Sequence, residues 1–472
     1  MTIDVLADRY ASDEMRWVWS PYRRTTLCHQ VWVDVMGAQR RRGVEISEEQ
    51  LDAYRRAASD YENALVDVDA WDREVAEAER RTRHDLKAQL EVFDRHAGGH
   101  GKAHLGMTSC DITETVTEHQ VIDSLEVVRT RIAVVLQRLD GYAQDYAVTT
   151  VVARTHHQPA QYTTLGVRFA RCAEELVVAY ARVADLAMMY PRRGIRGAVG
   201  NHVDMAAVLD GDHTRALALS ADPELGLELE MVAVGQTPSR ITDVDVAGAL
   251  LQAASGPGSL ATTLRLMAGA GQVYERVTAG QVGSSAMPHK RNPRYLERIQ
   301  GFLHILRGYQ AMVSGMTGVT WYEGDVTDSV TRRVALPGMF YAIDGLLQTF
   351  CYALDRLDFD LSEIGAEVER YGERAATGRL LAAEVSLGTP REEAHEVLRE
   401  LSTAEAMTSG SSLAERIGGD TRLKLTAPMA FYLTNRVDTG SAFDQVETMG
   451  TLVKRVVDKH PEIADWQPKM DN

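Results

Sequence analysis

The spacing of apolar residues along the chain predicts a protein made mainly of long helices. From Thr113 to Asp145, apolar residues such as Val121, Leu125 and Ile132 recur every three or four positions, which places them on one face of a helix. The same spacing covers residues 163–189, 242–273, 295–316 and 334–357. Five helices of this length can bury their apolar faces only by packing side by side, so we expect a helical bundle.

Breaks in this pattern divide the chain into three predicted domains. A glycine-rich run at 98–101 ends the first helical segment, and charged, shorter helical segments follow the bundle. A chain of 472 residues also exceeds what one hydrophobic core usually supports. We therefore predict an N-terminal helical domain at 1–107, a central long-helix bundle at 108–360 and a C-terminal helical domain at 361–472. Strand signals are confined to short pieces such as 148–152, so the expected fold class is all-α.

Residues 283–293 read Gly-Ser-Ser-Ala-Met-Pro-His-Lys-Arg-Asn-Pro, which is a poor helix and a poor strand. This stretch predicts a loop between two helices. The hydroxyl of Ser284 can lose its proton beside Lys290, because an ammonium stabilises the oxyanion. A glycine at one end and a proline inside indicate a flap that closes over an anionic substrate.

Two histidine sites carry further candidate chemistry. His84 lies between Arg83 and Asp85 and can carry a proton or bind an anion; the alternative is a solvated helix face. His156 and His157 precede a proline and a long helix, which predicts an imidazole near a helix N-terminus, where anions bind. The alternative is a structural pair, and the missing third ligand argues against zinc.

A fourth candidate loop is 321–329, which is followed by Arg332 and Arg333. Its polar residues include Asp325, Asp328 and Ser329. The structural alternative is a helix N-cap, a role that Ser329 or Asp328 can fill whatever else the loop does.

Composition narrows the classes of partner and compartment. The formal net charge of −16 argues against nucleic acid, and it means that an anionic substrate needs a local basic pocket. Four widely spaced cysteines indicate reduced thiols. No N-terminal apolar segment or 18-residue apolar span is visible, so we expect a cytoplasmic protein without a membrane partner. Neither a phosphate-cradling glycine loop nor a metal cluster is visible, so we expect no cofactor and no metal.

The 283–293 run resembles the signature loop of the fumarase/aspartase superfamily, and its SSAMPHKRNP spelling is similar to that of the adenylosuccinate lyase branch. Counterparts occur in the same order along most of the chain, including Arg83-His84-Asp85, Thr108-Ser109, Thr155-His156 and Gly235-Gln236-Thr237. The resemblance implies a three-domain, nearly all-helical subunit. It also implies a homotetramer with a twenty-helix core, in which each active site draws on three subunits.

The resemblance further implies β-elimination of fumarate from an N-substituted aspartate. Ser284 is then the base, aided by Lys290 and Asn292, while His156 protonates the leaving nitrogen and His84 orients it or binds the substrate. The residues that bind the succinyl carboxylates are then Thr108, Ser109, Gln236, Lys290 and Asn292. The same resemblance assigns to the substrate site Arg9, Tyr10, Arg83, Asp85, Thr155, Met287, Arg298, Ser329 and Arg333.

The chain departs from the family pattern at two positions. Gly324 stands where the family has an arginine of its nucleotide-binding set, which removes a bidentate phosphate donor. Glu114 stands where the family usually has aspartate, which keeps the charge. Arg9, Ser329 and Arg333 favour adenylosuccinate and the matching imidazole-carboxamide intermediate of purine synthesis as substrates, whereas Gly324 favours a substrate without a phosphate. The alternatives are a phosphate-free N-substituted aspartate, such as a hydrazino- or nitrosuccinate, and a non-catalytic helical structural protein.

Overall fold

The computed structural model describes residues 4–222, 225, 229–277, 287, 289–403 and 410–469. Helices α1 to α6 are Val5–Arg9, Asp13–Val18, Pro21–Arg41, Glu48–Glu62, Val68–Thr82 and Asp85–His96. Helices α7 to α13 are Ser109–Asp145, Leu165–Met188, Val203–Val208, His213–Ser220, Ile241–Gly269, Arg294–Ser314 and Ser329–Leu354. Helices α14 to α19 are Leu361–Ala375, Thr377–Ser386, Arg391–Ser402, Leu413–Gly419, Ala427–Thr434 and Ala442–Val457, and a short 3-10 helix follows at Pro461–Ile463.

The described strands form two small antiparallel pairs. Strands β1 (Thr150–Thr155) and β2 (Gln158–Thr164) form a hairpin. Strands β3 (Val273–Glu275) and β4 (Leu357–Phe359) pair after the ends of α11 and α13. With so little strand among long helices, the all-α prediction is confirmed.

The five predicted long helices are present as α7, α8, α11, α12 and α13, and they pack together through one large apolar cluster. Their ends differ from the predicted ones where polar residues begin the element. Helix α13 starts at Ser329, five residues before the predicted 334, because its first turn carries arginines that form ion pairs. Helix α8 starts at Leu165 because the residues before it form a strand.

Apolar side chains gather in three clusters. The bundle cluster also contains Val446 and Val453 of α19. The N-terminal cluster contains Met205 and Leu219, which follow α8, the second long helix. The third cluster runs from Ala376 to Ala430. Residues beyond 360 thus pack into the bundle core, and residues beyond 107 pack into the N-terminal core. The domain boundaries at 107/108 and 360/361 remain a prediction.

By length and composition, α13 is the helix among the described residues that could cross a membrane. However, 89% of its most apolar window is buried inside the protein. Its apolar faces are therefore already covered by the other helices of the bundle, as expected for a core helix.

Helices α7 and α13 run in the same direction and define two ends of the bundle. At one end Glu114 accepts hydrogen bonds from Arg332, and at the other the Tyr142 hydroxyl donates to the carbonyl oxygen of Leu354 at 2.5 Å. Between these ends, the 37 residues of α7 extend about 55 Å at 1.5 Å per residue. We call the end where α7 begins the His84 end and the end where α7 finishes the His156 end.

Candidate active site

At the His84 end, one imidazole lies against the start of α7. His84 caps the N-terminus of α6, where its Nδ1 accepts a hydrogen bond from the backbone N–H of Lys87 at 3.3 Å. A neutral ring that accepts at Nδ1 carries its proton on Nε2. That nitrogen lies 3.3 Å from the hydroxyl oxygen of Ser109, so it donates there. The ring is about half exposed, which leaves it accessible to a substrate.

Asp85 brings a cation to the same place. Its carboxylate accepts a hydrogen bond from Arg333 at 2.8 Å and lies 3.7 Å from Arg24. Burial alone would raise the pKa of Asp85, but the bonds from Arg333 and from the backbone of Leu86 outweigh it and hold the pKa below its ordinary value. The carboxylate therefore stays charged and holds the exposed guanidinium of Arg333 beside His84.

The Thr108–Ser109 turn is held by a fully buried carboxylate. The backbone N–H of Thr108 donates to Asp111 at 2.6 Å, and Asp111 also accepts from the backbone of Arg196 at 2.8 Å and from the side chain of Arg193. Because both side chains of the Asp111–Arg193 pair are fully buried, the turn has little freedom to move.

Gln236 is fixed through its backbone on both sides. Its N–H donates to the carbonyl of Glu323 at 2.7 Å, and its carbonyl accepts from Nε of Arg193 at 2.7 Å. The two loops approach so closely that a Cβ on Gly324 would lie 2.4 Å from the Thr237 hydroxyl oxygen. Gly324 also has a φ of +138°, which favours glycine. A side chain at 324 therefore requires both loops to rearrange.

At the His156 end, the histidine pair forms the turn of the β1–β2 hairpin. Thr155 pairs with Gln158, and His156 and His157 between them have φ values of +51° and +63°. Two positive values are those of a type I′ turn, which matches the twist of the strands. The prediction that this pair lies near a helix N-terminus is wrong, because residues 158–164 form a strand before α8 begins. Both imidazoles are exposed.

The hairpin is anchored close to this turn. The guanidinium of Arg154 forms an ion pair with Glu367 of α14 and lies 5.5 Å from the centre of the Tyr371 ring. A cavity of about 560 Å³ opens beside it, lined in part by His157 and Arg168. Thr155 and His156 are thus presented to solvent from a fixed base.

Ser284 lies outside the described residues. Further along the predicted loop, the backbone N–H of Lys290 donates to the carbonyl of Met287 at 3.0 Å, and both side chains are exposed. Asn292 is half-buried just before α12. The buried carboxylate of Glu275 accepts from the backbone N–H of Leu296 at 3.0 Å and so fixes the start of that helix.

Arg9, Tyr10 and Arg298 form a third group, away from both ends. The Tyr10 ring lies edge-on to Phe302 at 5.1 Å, with the guanidinium of Arg298 at 5.3 Å and that of Arg9 at 5.9 Å from its centre. The same tyrosine packs against Gly345, midway along α13. Two cations beside one ring suit an anionic or aromatic ligand.

Those predicted site residues that the structure describes therefore do not all meet within one chain. The His84 end holds Arg83, His84, Asp85, Thr108, Ser109, Gln236, Ser329 and Arg333, and the His156 end holds Thr155, His156, Met287, Lys290 and Asn292. Even fully extended, the eleven residues after Asp145 span at most about 40 Å of the roughly 55 Å length of α7. The backbones at His156 and Ser109 are therefore at least about 15 Å apart, so the imidazole of His156 does not contact the His84 of its own chain.

Sequence reasoning assigned no role to one histidine near the site. His104 precedes the Thr108–Ser109 turn with a φ of +68°, and its Nδ1 accepts from Nε1 of Trp32 at 3.1 Å. Burial lowers the pKa of His104, so the ring is neutral and carries its proton on Nε2. The signal for it was its position between the two predicted motifs. Within the described part of the chain, no group of three or more His, Cys, Asp or Glu residues is placed to hold a metal ion.

Comparisons with known proteins identify the family of the chain. A family model described as lyase matches residues 27–308. The adenylosuccinate lyase of Saccharomyces cerevisiae is 30% identical over 404 residues, which cover 84% of this chain and 82% of the yeast enzyme. The adenylosuccinate lyase of Schistosoma mansoni is 29% identical over 461 residues, covering 94% and 92%.

Solved structures share the fold at low sequence identity. The 3-carboxy-cis,cis-muconate lactonizing enzyme of Pseudomonas putida superposes with a TM-score of 0.80 at 19% identity, over 96% of this chain and 99% of that one. A fumarate lyase of Mesorhizobium sp. BNC1 gives 0.77 at 22% identity, over 95% and 98%.

The fold and the matched region define a member of the lyase family. The chain belongs to the adenylosuccinate lyase branch of the fumarase/aspartase superfamily, as its motifs predicted, and it is a carbon–nitrogen lyase that releases fumarate.

Proposed function

We propose that the chain eliminates fumarate from an anionic N-substituted succinate, at a site to which both ends of the bundle contribute. The observation that supports this best is the group formed by His84, Asp85, Ser109 and Arg333. It presents an imidazole, a hydroxyl and a guanidinium on one surface, and a guanidinium is a strong donor to a carboxylate. Because the whole chain carries a charge of −16, such a local cation is needed to attract the substrate.

In the reaction, Ser284 removes a proton from Cβ of the succinyl group, with Lys290 stabilising the serine oxyanion. The electrons of the C–H bond first remain on Cβ as a carbanion and then form the new double bond as the C–N bond breaks. The bonding pair leaves with the nitrogen, which His156 protonates. The carbanion is stabilised when its charge spreads into the neighbouring carboxylate, which is bound by donors already in place. Those donors are Thr108, Ser109, Gln236, Lys290 and Asn292.

The other predicted residues bind the remainder of the substrate. Tyr10, between the guanidinium groups of Arg9 and Arg298, suits a flat, anionic leaving group. His84, whose ring is hydrogen-bonded to the Ser109 hydroxyl, orients the substrate. The same site includes Arg83, Asp85, Thr155, Met287, Ser329 and Arg333.

The active unit is a homotetramer in which each site combines segments of three subunits. The separation of His84 from His156 along α7 supports this, because the acid and the carboxylate-binding group need to contact one small substrate. The exposure of His156 on its hairpin turn supports it as well, since a partner subunit can then cover that residue.

The leaving group is AMP or the matching imidazole-carboxamide nucleotide, as the relatives suggest. A specific observation favours a phosphate-free amine as the second candidate. Gly324 cannot hold a longer side chain in its present backbone conformation, because its Cβ would meet Thr237 at 2.4 Å. A Gly324→Arg variant therefore cannot test the point, since strain would lower activity whatever the substrate.

The substrate is tested by a panel of N-substituted aspartates, with fumarate followed by its ultraviolet absorbance. Adenylosuccinate, the succinylated imidazole carboxamide, hydrazinosuccinate and nitrosuccinate are compared by kcat/KM, with Ser284→Ala as the inactive control. We expect the nucleotide substrates to give the highest value. If a phosphate-free compound gives a higher kcat/KM than the nucleotides, the natural substrate belongs to the class of that compound. If the wild type releases fumarate from none of the panel, the proposed substrate class is wrong.

We place the enzyme in the cytoplasm as three domains, with no cofactor, nucleic acid or membrane partner. Its cysteines support a reducing compartment, since Cys28, Cys172 and Cys351 are buried free thiols. Burial raises the pKa of the Cys28 and Cys351 thiols to about 12, so they are neutral core residues.

A further inference from the structure

A buried carboxylate on α7 binds two arginines from distant parts of the chain. The side chain of Glu114 is 7% exposed, and both of its oxygens accept hydrogen bonds. Arg240 donates to them through two nitrogens at 3.1 Å each, and Arg332 donates at 3.0 and 2.9 Å. Burial alone would raise the pKa of Glu114, but the two guanidinium groups lower it to about 2, so the group is charged at neutral pH.

Each arginine also binds a second carboxylate. Nε of Arg240 donates to Asp328, and Nε of Arg332 donates to Asp243 at 2.8 Å. The result is an alternating row of charges, Asp328–Arg240–Glu114–Arg332–Asp243, which we call the ionic row. It connects the starts of α7, α11 and α13.

The ionic row lies directly behind residues that the proposed function assigns to the substrate. Arg332 is nearly buried in the row, while its neighbour Arg333 is 58% exposed and faces Asp85. Asp328 belongs to the row and precedes Ser329. Glu114 lies little more than one helical turn after Ser109.

Stability alone does not account for these charges. Removing ions from water is costly, and replacing a buried ionic network with apolar residues of similar volume is often neutral or stabilising. A fixed set of bidentate bonds does, however, define the distances between three helix ends.

We propose that Glu114 is a positioning residue for the elimination. Its carboxylate sets the distance between the start of α7, which carries Ser109, and the start of α13, which carries Ser329 and Arg333. This inference rests on the proposed function, because it assumes that these residues bind the substrate. Glu114 itself contacts arginines and not the cleft.

The test compares Glu114→Gln with a matched control, Glu384→Gln. Glu384 is also fully buried and accepts from the backbone of Lys424 at 2.7 Å and of Leu425 at 2.9 Å, but it lies in the C-terminal apolar cluster. We expect both variants to lower Tm. Only Glu114→Gln should raise KM, by tenfold or more, while kcat changes less than threefold, because the start of α13 moves and displaces Ser329 and Arg333, which bind the part of the substrate away from the reacting carbon.

Glu114→Asp keeps the charge but draws the carboxylate back by one methylene, so its KM should fall between those of wild type and Glu114→Gln. If Glu114→Gln does not fold, Asp243→Asn weakens one end of the row and should raise KM severalfold. The inference is overturned if the wild type releases fumarate and each folded variant of the row keeps KM within twofold of the wild-type value. A wild type that releases no fumarate overturns the proposed function itself, and this inference with it.

Discussion

The two ends of the bundle differ in how their polar side chains are held. At the His84 end, Asp85, Asp111 and Glu114 all bind arginines of the same chain, and the loops around Gln236 are fixed by backbone bonds. At the His156 end, the key imidazole is exposed on a two-residue turn. One end is therefore organised by contacts within the chain, whereas the other end leaves its imidazole exposed.

The proposed function assigns substrate binding mainly to the first end and proton transfer to the second. Donors to carboxylates need fixed positions, because misplacement removes their advantage in the transition state. A proton donor supplied by another subunit requires only that the backbone segment carrying it be held in place. The ion pair between Arg154 and Glu367 holds the hairpin in place without burying His156.

The largest expected effect separates the two histidines. His156→Ala should lower kcat by about 10²- to 10⁴-fold, the usual contribution of a general acid. It should leave Tm unchanged because the side chain is exposed. His84→Ala should lower turnover and also reduce the free energy of unfolding by about 1 kcal/mol, because His84 caps α6. Steady-state kinetics and thermal unfolding check both results. Equal Tm losses in the two variants would contradict the difference between the ends.

A smaller effect tests how tightly the His84 end is locked. Gly324→Ala should lower the free energy of unfolding by about 2–3 kcal/mol, because it adds a clash with Thr237 to the strain of a positive φ. The control is Gly318→Ala, where φ is +72° but a Cβ would meet nothing within 4 Å. That change should cost only about 1 kcal/mol. Denaturant titration measures both, and equal losses would mean that the two loops separate easily.

The smallest effect is a change in pH dependence. Burial and the nearby Glu114 raise the pKa of Glu118 from 4.5 to about 7. Between these values the folded state holds a proton that the unfolded state has lost, so stability falls as pH rises from 4.5 to 7. Glu118→Gln cannot ionise and should lose less Tm than wild type between pH 5 and pH 8.

The matched control is Glu126→Gln, at a residue of the same helix whose side chain is 44% exposed and pairs with Arg129. This variant should follow the wild-type pH dependence of Tm. If the Glu118→Gln and wild-type curves run parallel between pH 5 and pH 8, then Glu118 is ionised in the folded protein across that range.

The sequence predicted the five long helices because apolar periodicity is a local signal that burial then enforces. It did not predict the hairpin turn, because two non-glycine residues with positive φ are uncommon. It also did not predict the ionic row. Glu114 and Arg332 are 218 positions apart, and a glutamate on a helix has the same local pattern whether it is solvated or buried. The motifs identified the candidate residues, but their separation into two ends depends on the length of α7.

The most direct test of the account is subunit complementation. His84→Gln and His156→Gln variants, each inactive and carrying a different affinity tag, are unfolded, mixed and refolded, and the hybrids that carry both tags are isolated. If each site combines the His84 end of one chain with the His156 end of another, some sites in the hybrid contain both histidines, and fumarate release returns to a substantial fraction of the wild-type rate. Purified hybrids that remain as inactive as either parent would contradict the shared site.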